Sequence, residues 1–167
     1  PQKALVLGAG GAARSVVFVL VQAGWQVTLA ARRQEQASQM AVDLNKYARS
    51  HSIEIMDLDQ LSSLNPSAGW GLVVNTTPVG MAPDVNASPW PQTLELPKTA
   101  AVYDLIYNPG ETRLMQQAAA AGMRCRNGLG MLVEQAAQAF EIWTGKTADR
   151  MAMVAALQKT NTPESGR

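Results

Sequence analysis

The sequence has 167 residues and a mass of 17.9 kDa, which fits one domain of the usual size of roughly 100–200 residues. The 14 Lys and Arg residues nearly balance the 13 Asp and Glu residues, and the formal charge of +1 excludes the strongly basic surface of a nucleic-acid-binding protein. Hydrophobic residues make up 47% and charged residues 16% of the chain, which is typical of a globular domain and not of a disordered one.

The remaining composition limits the setting of the protein. One cysteine, Cys125, and one histidine, His51, give no basis for an internal disulfide or a protein-only metal site, so we predict no metal and a reducing, cytoplasmic location. No apolar run reaches the roughly 20 residues that span a bilayer, so we expect no membrane partner. The chain enters a strand-like apolar run directly after Pro1, which we interpret as a fragment whose earlier portion is missing.

Short apolar runs alternate with helical stretches along the whole chain. The predicted strands are residues 4–7, 27–30, 53–56, 72–75, 101–105 and a short strand at Cys125, and the predicted helices are residues 12–23, 34–50, 57–64, 112–121, 129–143 and 147–157. The proline-rich residues 78–97 are predicted to form an irregular loop. This alternation predicts a Rossmann-like, three-layer α/β/α domain with a doubly wound, mainly parallel sheet over residues 1–159, followed by a frayed tail, residues 160–167.

A glycine-rich turn follows the first predicted strand. Residues 8–13 read Gly-Ala-Gly-Gly-Ala-Ala and match the GxGxxA pattern of dinucleotide-binding turns, with a strand before them and a helix after them. Gly8 allows the tight turn, Gly10 lets the backbone approach a pyrophosphate, and the free N–H groups that open the helix favour an anion. The alternative is a glycine turn in an α/β protein that binds no nucleotide.

The end of the second predicted strand indicates which nucleotide would bind. A site for NAD usually places an acidic residue there for the ribose hydroxyls, but this chain has Arg32 and Arg33 and no acid before Glu35. Guanidinium groups suit a 2′-phosphate, because they donate paired hydrogen bonds and stack on adenine. We therefore predict NADP as the cofactor, the alternative being two solvated arginines at a helix start.

Four motifs in one order resemble a known family, the shikimate dehydrogenases, over residues 3–157. They are GAGGAAR (residues 8–14), NTTPVGM (75–81), YDLIYNPGETRL (103–114) and NGLGMLVEQAAQAFEIWTG (127–145). The resemblance is to the C-terminal NADP-binding domain of that family. It implies an oxidoreductase that reversibly reduces 3-dehydroshikimate to shikimate with NADPH, in the biosynthesis of chorismate and the aromatic amino acids.

The resemblance also implies roles for individual residues. Those implied to bind the cofactor are Gly8, Ala9, Gly10, Gly11 and Ala12 at the pyrophosphate, Arg32 at the 2′-phosphate, Thr77 along the channel, and Leu105 and Gly128 beside the nicotinamide. Tyr107 and Gln135 are implied to touch the substrate, where a phenol and an amide supply the donors and acceptors that a polyhydroxylated ring needs.

The sequence departs from the family pattern at the 2′-phosphate. The family commonly has Asn-Arg-Thr where this chain has Ala31, Arg32 and Arg33, so we expect Arg33 to compensate for the lost contacts. A quinate/shikimate dehydrogenase branch that also accepts NAD has Asp at the position of Gln34. The resemblance thus implies NADP preference and leaves dual NAD and NADP use open.

The family's proton-transferring Lys and Asp lie in an N-terminal substrate domain that has no match in this chain, so we predict no catalytic residue here and cofactor binding without turnover. The apolar helix over residues 129–140 is a candidate surface for that missing domain, or for self-association of the chain. Two alternatives stay open: a quinate/shikimate dehydrogenase-like oxidoreductase, and a non-catalytic NADP-sensing module.

Overall fold

A computed structural model of the chain describes residues 2–48 and 53–160. Its strands are β1 (Lys3–Leu7), β2 (Gln26–Ala31), β3 (Glu54–Asp57), β4 (Trp70–Asn75), β5 (Ala101–Asp104) and β6 (Cys125–Asn127). Its α-helices are α1 (Gly11–Gln22), α2 (Gln34–Asn45), α3 (Arg113–Ala120), α4 (Leu129–Thr144) and α5 (Arg150–Thr160), and a 3₁₀ helix spans Leu58–Ser63.

All six strands belong to one parallel sheet with the order β3-β2-β1-β4-β5-β6. The chain moves outward from β1 to β3, then crosses back to β4 on the other side of β1, so the order reverses between β1 and β4. In open parallel sheets, ligands bind in the crevice beyond the carboxyl ends of the strands at such a reversal. The predicted doubly wound α/β fold is confirmed, and its topology places a candidate site beyond Leu7 and Asn75.

The central strand β1 is buried on both faces, as its continuous apolar run predicts. Ala4 and Val6 face one core with α1 and α2, and Leu5 and Leu7 face a second core with α3; none of the four is exposed. The two cores give the three-layer arrangement and hold the carboxyl end of β1 in a fixed position.

Several predicted boundaries differ from the structure by one to five residues. The helix predicted to run to residue 50 ends at Asn45, whose carboxamide oxygen accepts a hydrogen bond from Ile53 N (3.0 Å), just before β3. Helix α5 begins at Arg150 and not at residue 147, since the Asp149 carboxylate caps it by accepting from Ala152 N (2.9 Å). The strand predicted for residues 101–105 ends at Asp104.

The proline-rich segment predicted to be irregular contains no helix or strand between β4 and β5. It is held by Trp90, which is 1% exposed in the second core and donates its indole N–H to Leu94 O at 3.0 Å. The predicted tail lies outside the described residues except for Thr160, the last residue of α5. Among the helices of residues 2–48 and 53–160, none combines the length and apolar character needed to cross a membrane.

Candidate functional site

The turn between β1 and α1 leaves backbone donors free. Helix α1 begins at Gly11, its N-cap Gly10 has no side chain to accept a hydrogen bond, and no acidic residue lies in the first turn. The first bond of the helix is from Arg14 N to Gly10 O (3.1 Å), so the preceding N–H groups have no acceptor within the helix. A Cβ atom added to Gly10 or Gly11 would meet nothing within 4 Å, which leaves the backbone accessible to a ligand. The geometry is that of an anion-binding helix terminus.

Gly8 is required by its neighbours and by its conformation. Its φ is +103°, and a Cβ atom there would lie 2.9 Å from both Thr76 Oγ1 and Thr77 Cγ2. Thr76 fixes this close approach, because its backbone N–H and its hydroxyl both donate to Leu7 O, at 3.0 and 2.6 Å. The turn after β4 therefore lies directly against the glycine turn after β1.

Two adjoining clefts open at this junction. The first, of about 520 Å³, is lined by the glycine turn, the arginines and the turn after β4: Gly8, Ala9, Gly10, Ala31, Arg32, Arg33, Leu58, Thr76, Thr77 and Pro78. The second, of about 420 Å³, is lined by Thr76, Thr77, Pro78, Met81, Ala82, Leu105, Ile106, Tyr107 and Asn108. They share Thr76, Thr77 and Pro78, so together they form one elongated groove along the carboxyl ends of β2, β1, β4 and β5.

A groove of about 670 Å³, larger than either cleft, lies over the side of β4, β5 and β6 that carries Leu72 and Tyr103. Its lining is mostly apolar, and it shares no residue with the two clefts. We place the site at the smaller clefts because free backbone donors and cationic side chains converge there.

The outer end of the first cleft is cationic. Arg32 and Arg33 are exposed, and neither side chain makes a hydrogen bond or ion pair with another residue of the described part of the chain. No carboxylate lines this cleft. Asp57 ends the neighbouring strand β3, but its carboxylate caps the 3₁₀ helix by accepting from Asp59 N at 3.0 Å. The cleft therefore offers two guanidinium groups to a phosphate.

Gln34 directly follows the two arginines, and its side-chain amide bonds to the backbone. Its side-chain amide donates to Ala31 O at the end of β2 and to Met56 O near the end of β3, the second bond at 3.2 Å. Because these donors are already used by the backbone, Gln34 fixes the β2–α2 turn from which the arginines project.

A buried polar network lies under the wall that the clefts share. Asp104 and Asn75 are 0% exposed and Thr112 is 1% exposed. Asp104 accepts from Asn75 Nδ2 (2.9 Å), from Ile106 N (3.1 Å) and from the Thr112 hydroxyl (2.7 Å), while Asn75 Oδ1 accepts from Thr77. Burial raises the pKa of Asp104 above its ordinary value, and the hydrogen bonds from Thr112, Ile106 and Asn75 offset part of that rise.

Sequence reasoning missed this network. Each of Asn75 and Asp104 is a polar residue closing a buried apolar strand, and that pattern was the available signal. Their contact depends on β4 and β5 being neighbours, with Asn75 opposite Asp104 in the register.

The structure separates the residues that the resemblance implies at the nicotinamide and substrate. Leu105 and Tyr107 line the second cleft, and Tyr107 is 41% exposed. Gln135 is exposed on α4 and lines neither cleft. Gly128 is buried behind Leu105, where a Cβ atom would lie 2.0 Å from Leu105 O, so a side chain cannot fit. The position of Gly128 serves backbone packing, and its predicted role beside a nicotinamide, like that of Gln135 at a substrate, stays a prediction.

Comparison with known proteins points to one family. Residues 128–158 match the model of the Shikimate 5′-dehydrogenase C-terminal domain. The chain is 42% identical over 158 residues to the shikimate dehydrogenase (NADP(+)) of Salinibacter ruber, covering 92% of this chain and 54% of that protein. The chain spans about half the length of the curated relatives it matches.

Solved structures give the same result. A shikimate dehydrogenase in complex with NADP⁺ superposes with a TM-score of 0.86 at 33% identity, covering 97% of this chain and 55% of that one. The quinate dehydrogenase of Corynebacterium glutamicum in complex with NAD has a TM-score of 0.82 at 27% identity, covering 95% of this chain and 55% of that one. The chain is therefore similar to part of the shikimate dehydrogenases over nearly all of its own length, and the recognition made from the four motifs is confirmed.

Proposed function

We propose that this chain is the NADP(H)-binding half of a shikimate dehydrogenase, an enzyme that reversibly reduces 3-dehydroshikimate to shikimate. The observation that supports this most directly is that the glycine turn, the free N–H groups of α1 and two arginines whose side chains have no partner among the described residues meet in one cleft. The relatives carry NADP(+) in their names, and the chain covers half of their length, as a cofactor domain would.

The residues present fit the cofactor. The open backbone at Gly10, Gly11 and Ala12 would hold the pyrophosphate with the positive end of the α1 dipole. Arg32 and Arg33 would hold the 2′-phosphate, since they are exposed at the end of β2 and no carboxylate in the cleft competes for them.

The second cleft would receive the nicotinamide and the edge of the substrate. Leu105 offers an apolar surface, and Tyr107 offers a phenolic hydroxyl that both donates and accepts hydrogen bonds. When bound, the reduced nicotinamide supplies the hydride. The alkoxide that forms on the substrate also needs a proton from a positioned acid, and the lining of the two clefts contains no carboxylate, lysine or histidine. The proton donor would therefore come from a substrate domain of the kind the relatives' remaining length could hold.

Exposed apolar side chains at the end of α4 and the start of α5 support the presence of a partner domain. Val133 and Ala137 are buried against the rest of this domain, but Ile142 and Trp143 are 80% and 83% exposed, and Met151 at the start of α5 is 79% exposed. Large apolar side chains grouped at one end of two helices are typical of a surface that another domain covers. In its absence, the same side chains would favour self-association of the chain.

Cofactor titration tests the proposal. We expect the wild-type chain to bind NADPH more tightly than NADH, and Arg32→Ala to weaken NADPH binding about 10- to 100-fold, the loss expected for a charge-assisted hydrogen bond, with NADH changed little. Arg126→Ala is the matched control, because Arg126 is an exposed arginine on β6 outside both clefts. Equal losses for the two cofactors would show that Arg32 does not hold a 2′-phosphate, and a wild-type chain that binds neither would overturn the proposal.

The similarity to an NAD-bound quinate dehydrogenase favours one second candidate, a quinate dehydrogenase that accepts NAD. That candidate predicts similar affinities for NADH and NADPH in the wild-type chain. It also predicts that the intact protein reduces NAD⁺ when quinate is added. The absence of an acid on the lining of the first cleft favours the NADP reading.

A further inference from the structure

Asn75 and Asp104 lie next to the residues that line both clefts, although neither of them lines a cleft. They close neighbouring strands, face each other in the register, and are joined by the 2.9 Å bond from Asn75 Nδ2 to Asp104 Oδ1. Both are fully buried next to the wall that the two clefts share, which is formed by Thr76, Thr77 and Pro78.

The orientation of the Asn75 amide follows from its partners. Asn75 Oδ1 accepts from the Thr77 backbone N–H at 2.9 Å and from the Thr77 hydroxyl at 2.7 Å, so its NH₂ group must point away from Thr77. Asp104 Oδ1 at 2.9 Å and Val79 O at 3.5 Å accept from the NH₂ group, and these two oxygens select this orientation of the amide. The same Asp104 Oδ1 also accepts from Ile106 N at 3.1 Å, which fixes the start of the segment that carries Tyr107.

Thr77 connects the Asn75 side chain to the glycine turn. Its hydroxyl oxygen accepts from Val79 N at 3.2 Å, and its methyl group lies 2.9 Å from where a Gly8 Cβ atom would be. A change in the position of Thr77 would therefore change the shape of the groove where a pyrophosphate and a nicotinamide ribose would lie.

We propose that Asn75, oriented by Asp104, is a positioning residue for cofactor binding. Asn75 holds residues 76–79 against the glycine turn. The proposal rests on the proposed function only for the identity of the ligand. Because β1 separates β4, which ends at Asn75, from β2, which precedes the arginines, loss of the Asn75 side chain weakens NADPH and NADH binding by the same factor, about tenfold for a removed buried hydrogen-bonding group. Loss of Arg32 instead changes the ratio of the two affinities.

Three variants separate positioning from general stability. Asn75→Ala removes the amide but leaves Asp104 with Ile106 and Thr112, so the fold retains two of the three bonds to the carboxylate. Asp104→Asn keeps one oxygen that accepts from Asn75 and Ile106, and we expect it to bind both cofactors within about threefold of wild type. Thr112→Val is the structural control, because it removes only the bond to the other oxygen, Oδ2, and the cap of α3.

Three measurements are made on each variant. The first is titration of the chain with NADPH and with NADH, followed by ligand fluorescence. The second needs no cofactor: hydrogen exchange of the Thr77 backbone amide, observed by NMR, reports whether the bond to Asn75 Oδ1 orders the turn. Thermal melting gives the stability of each variant alongside.

In Asn75→Ala we expect a similar loss of affinity for both cofactors and faster exchange of the Thr77 amide. In Thr112→Val we expect a lower melting temperature, with affinity and Thr77 exchange at wild-type values. Unchanged affinity in Asn75→Ala, a loss confined to NADPH, or an equal loss in Thr112→Val would overturn the proposal. A wild-type chain that binds neither cofactor would defeat the proposed function alone. Thr77 exchange would then decide the positioning role: faster exchange in Asn75→Ala only would support it, and unchanged exchange would overturn it.

Discussion

The close approach of the two turns at Gly8 can be measured by comparing two glycines. Gly8 and Gly24 flank α1, and both have positive φ, +103° and +82°. A Cβ atom at Gly24 would meet nothing within 4 Å, whereas one at Gly8 would collide with Thr76 and Thr77 at 2.9 Å. An alanine at Gly24 therefore introduces backbone strain alone, and an alanine at Gly8 introduces strain and a collision.

The expected magnitudes follow from these two terms. Gly24→Ala should lower the free energy of unfolding by about 1–2 kcal/mol, the cost of a left-handed conformation for a residue with a Cβ atom. Gly8→Ala should lower it by a further 1–3 kcal/mol or so, the usual cost of overpacking. For a domain of this size, about 1 kcal/mol shifts the melting temperature by roughly 2–4 °C.

Urea unfolding followed by circular dichroism gives both free energies, and an NADPH titration shows the effect on the groove. We expect Gly24→Ala to bind NADPH as wild type does, and Gly8→Ala to bind it at least about tenfold more weakly, because Thr77 must move to admit the methyl group. Equal losses of stability in the two variants, or unchanged affinity in Gly8→Ala, would show that the contact with the turn after β4 does not constrain the site.

Three further outcomes can be checked by urea unfolding. Leu114→Ala, which removes a fully buried side chain of α3 from the second core, should cost about 2–5 kcal/mol and leave NADPH affinity unchanged. Burial raises the pKa of Asp104, so the contribution of the Asp104 side chain to stability is full below the ordinary value of 3.8 and is lost as pH rises through the raised value. The destabilisation caused by Asp104→Asn should therefore grow as pH falls from 7 toward 4. The hydrogen bond from Arg150 lowers the pKa of Glu141, so the contribution of Glu141 to stability is present above the ordinary value of 4.5 and is lost at lower pH. The loss of stability caused by Glu141→Gln should therefore shrink as the solution is acidified.

Local sequence patterns were sufficient for the sheet but not for every boundary. The run Ala4 to Leu7 predicts a strand buried on both faces, and burial on both faces is what the structure shows. The end of α2 was predicted wrongly because it depends on the bond between Asn45 and Ile53, which are eight residues apart and meet only after the chain has turned. Helical spacing carries no information about such a contact.

The same distinction applies to the site. The glycine turn and the two arginines could be predicted because each lies directly after a strand in the sequence, and the parallel sheet brings strand ends to one edge. The pair of Asn75 and Asp104 could not, since their separation along the chain is 29 residues and their contact requires the order of β4 and β5. Gln135 was placed by family resemblance alone, and the structure shows it exposed on α4.

The division between binding and proton transfer follows from where the carboxylates lie. Asp104 is the acid nearest in sequence to Tyr107, but it is fully buried and both of its oxygens accept hydrogen bonds from protein donors, so it has no path to a substrate. Lys3 begins β1 and therefore lies at the opposite edge of the sheet from the end of β5. Under the proposed function, the groove would hold the dinucleotide, and the acid that protonates the substrate alkoxide would lie outside the residues that line the two clefts.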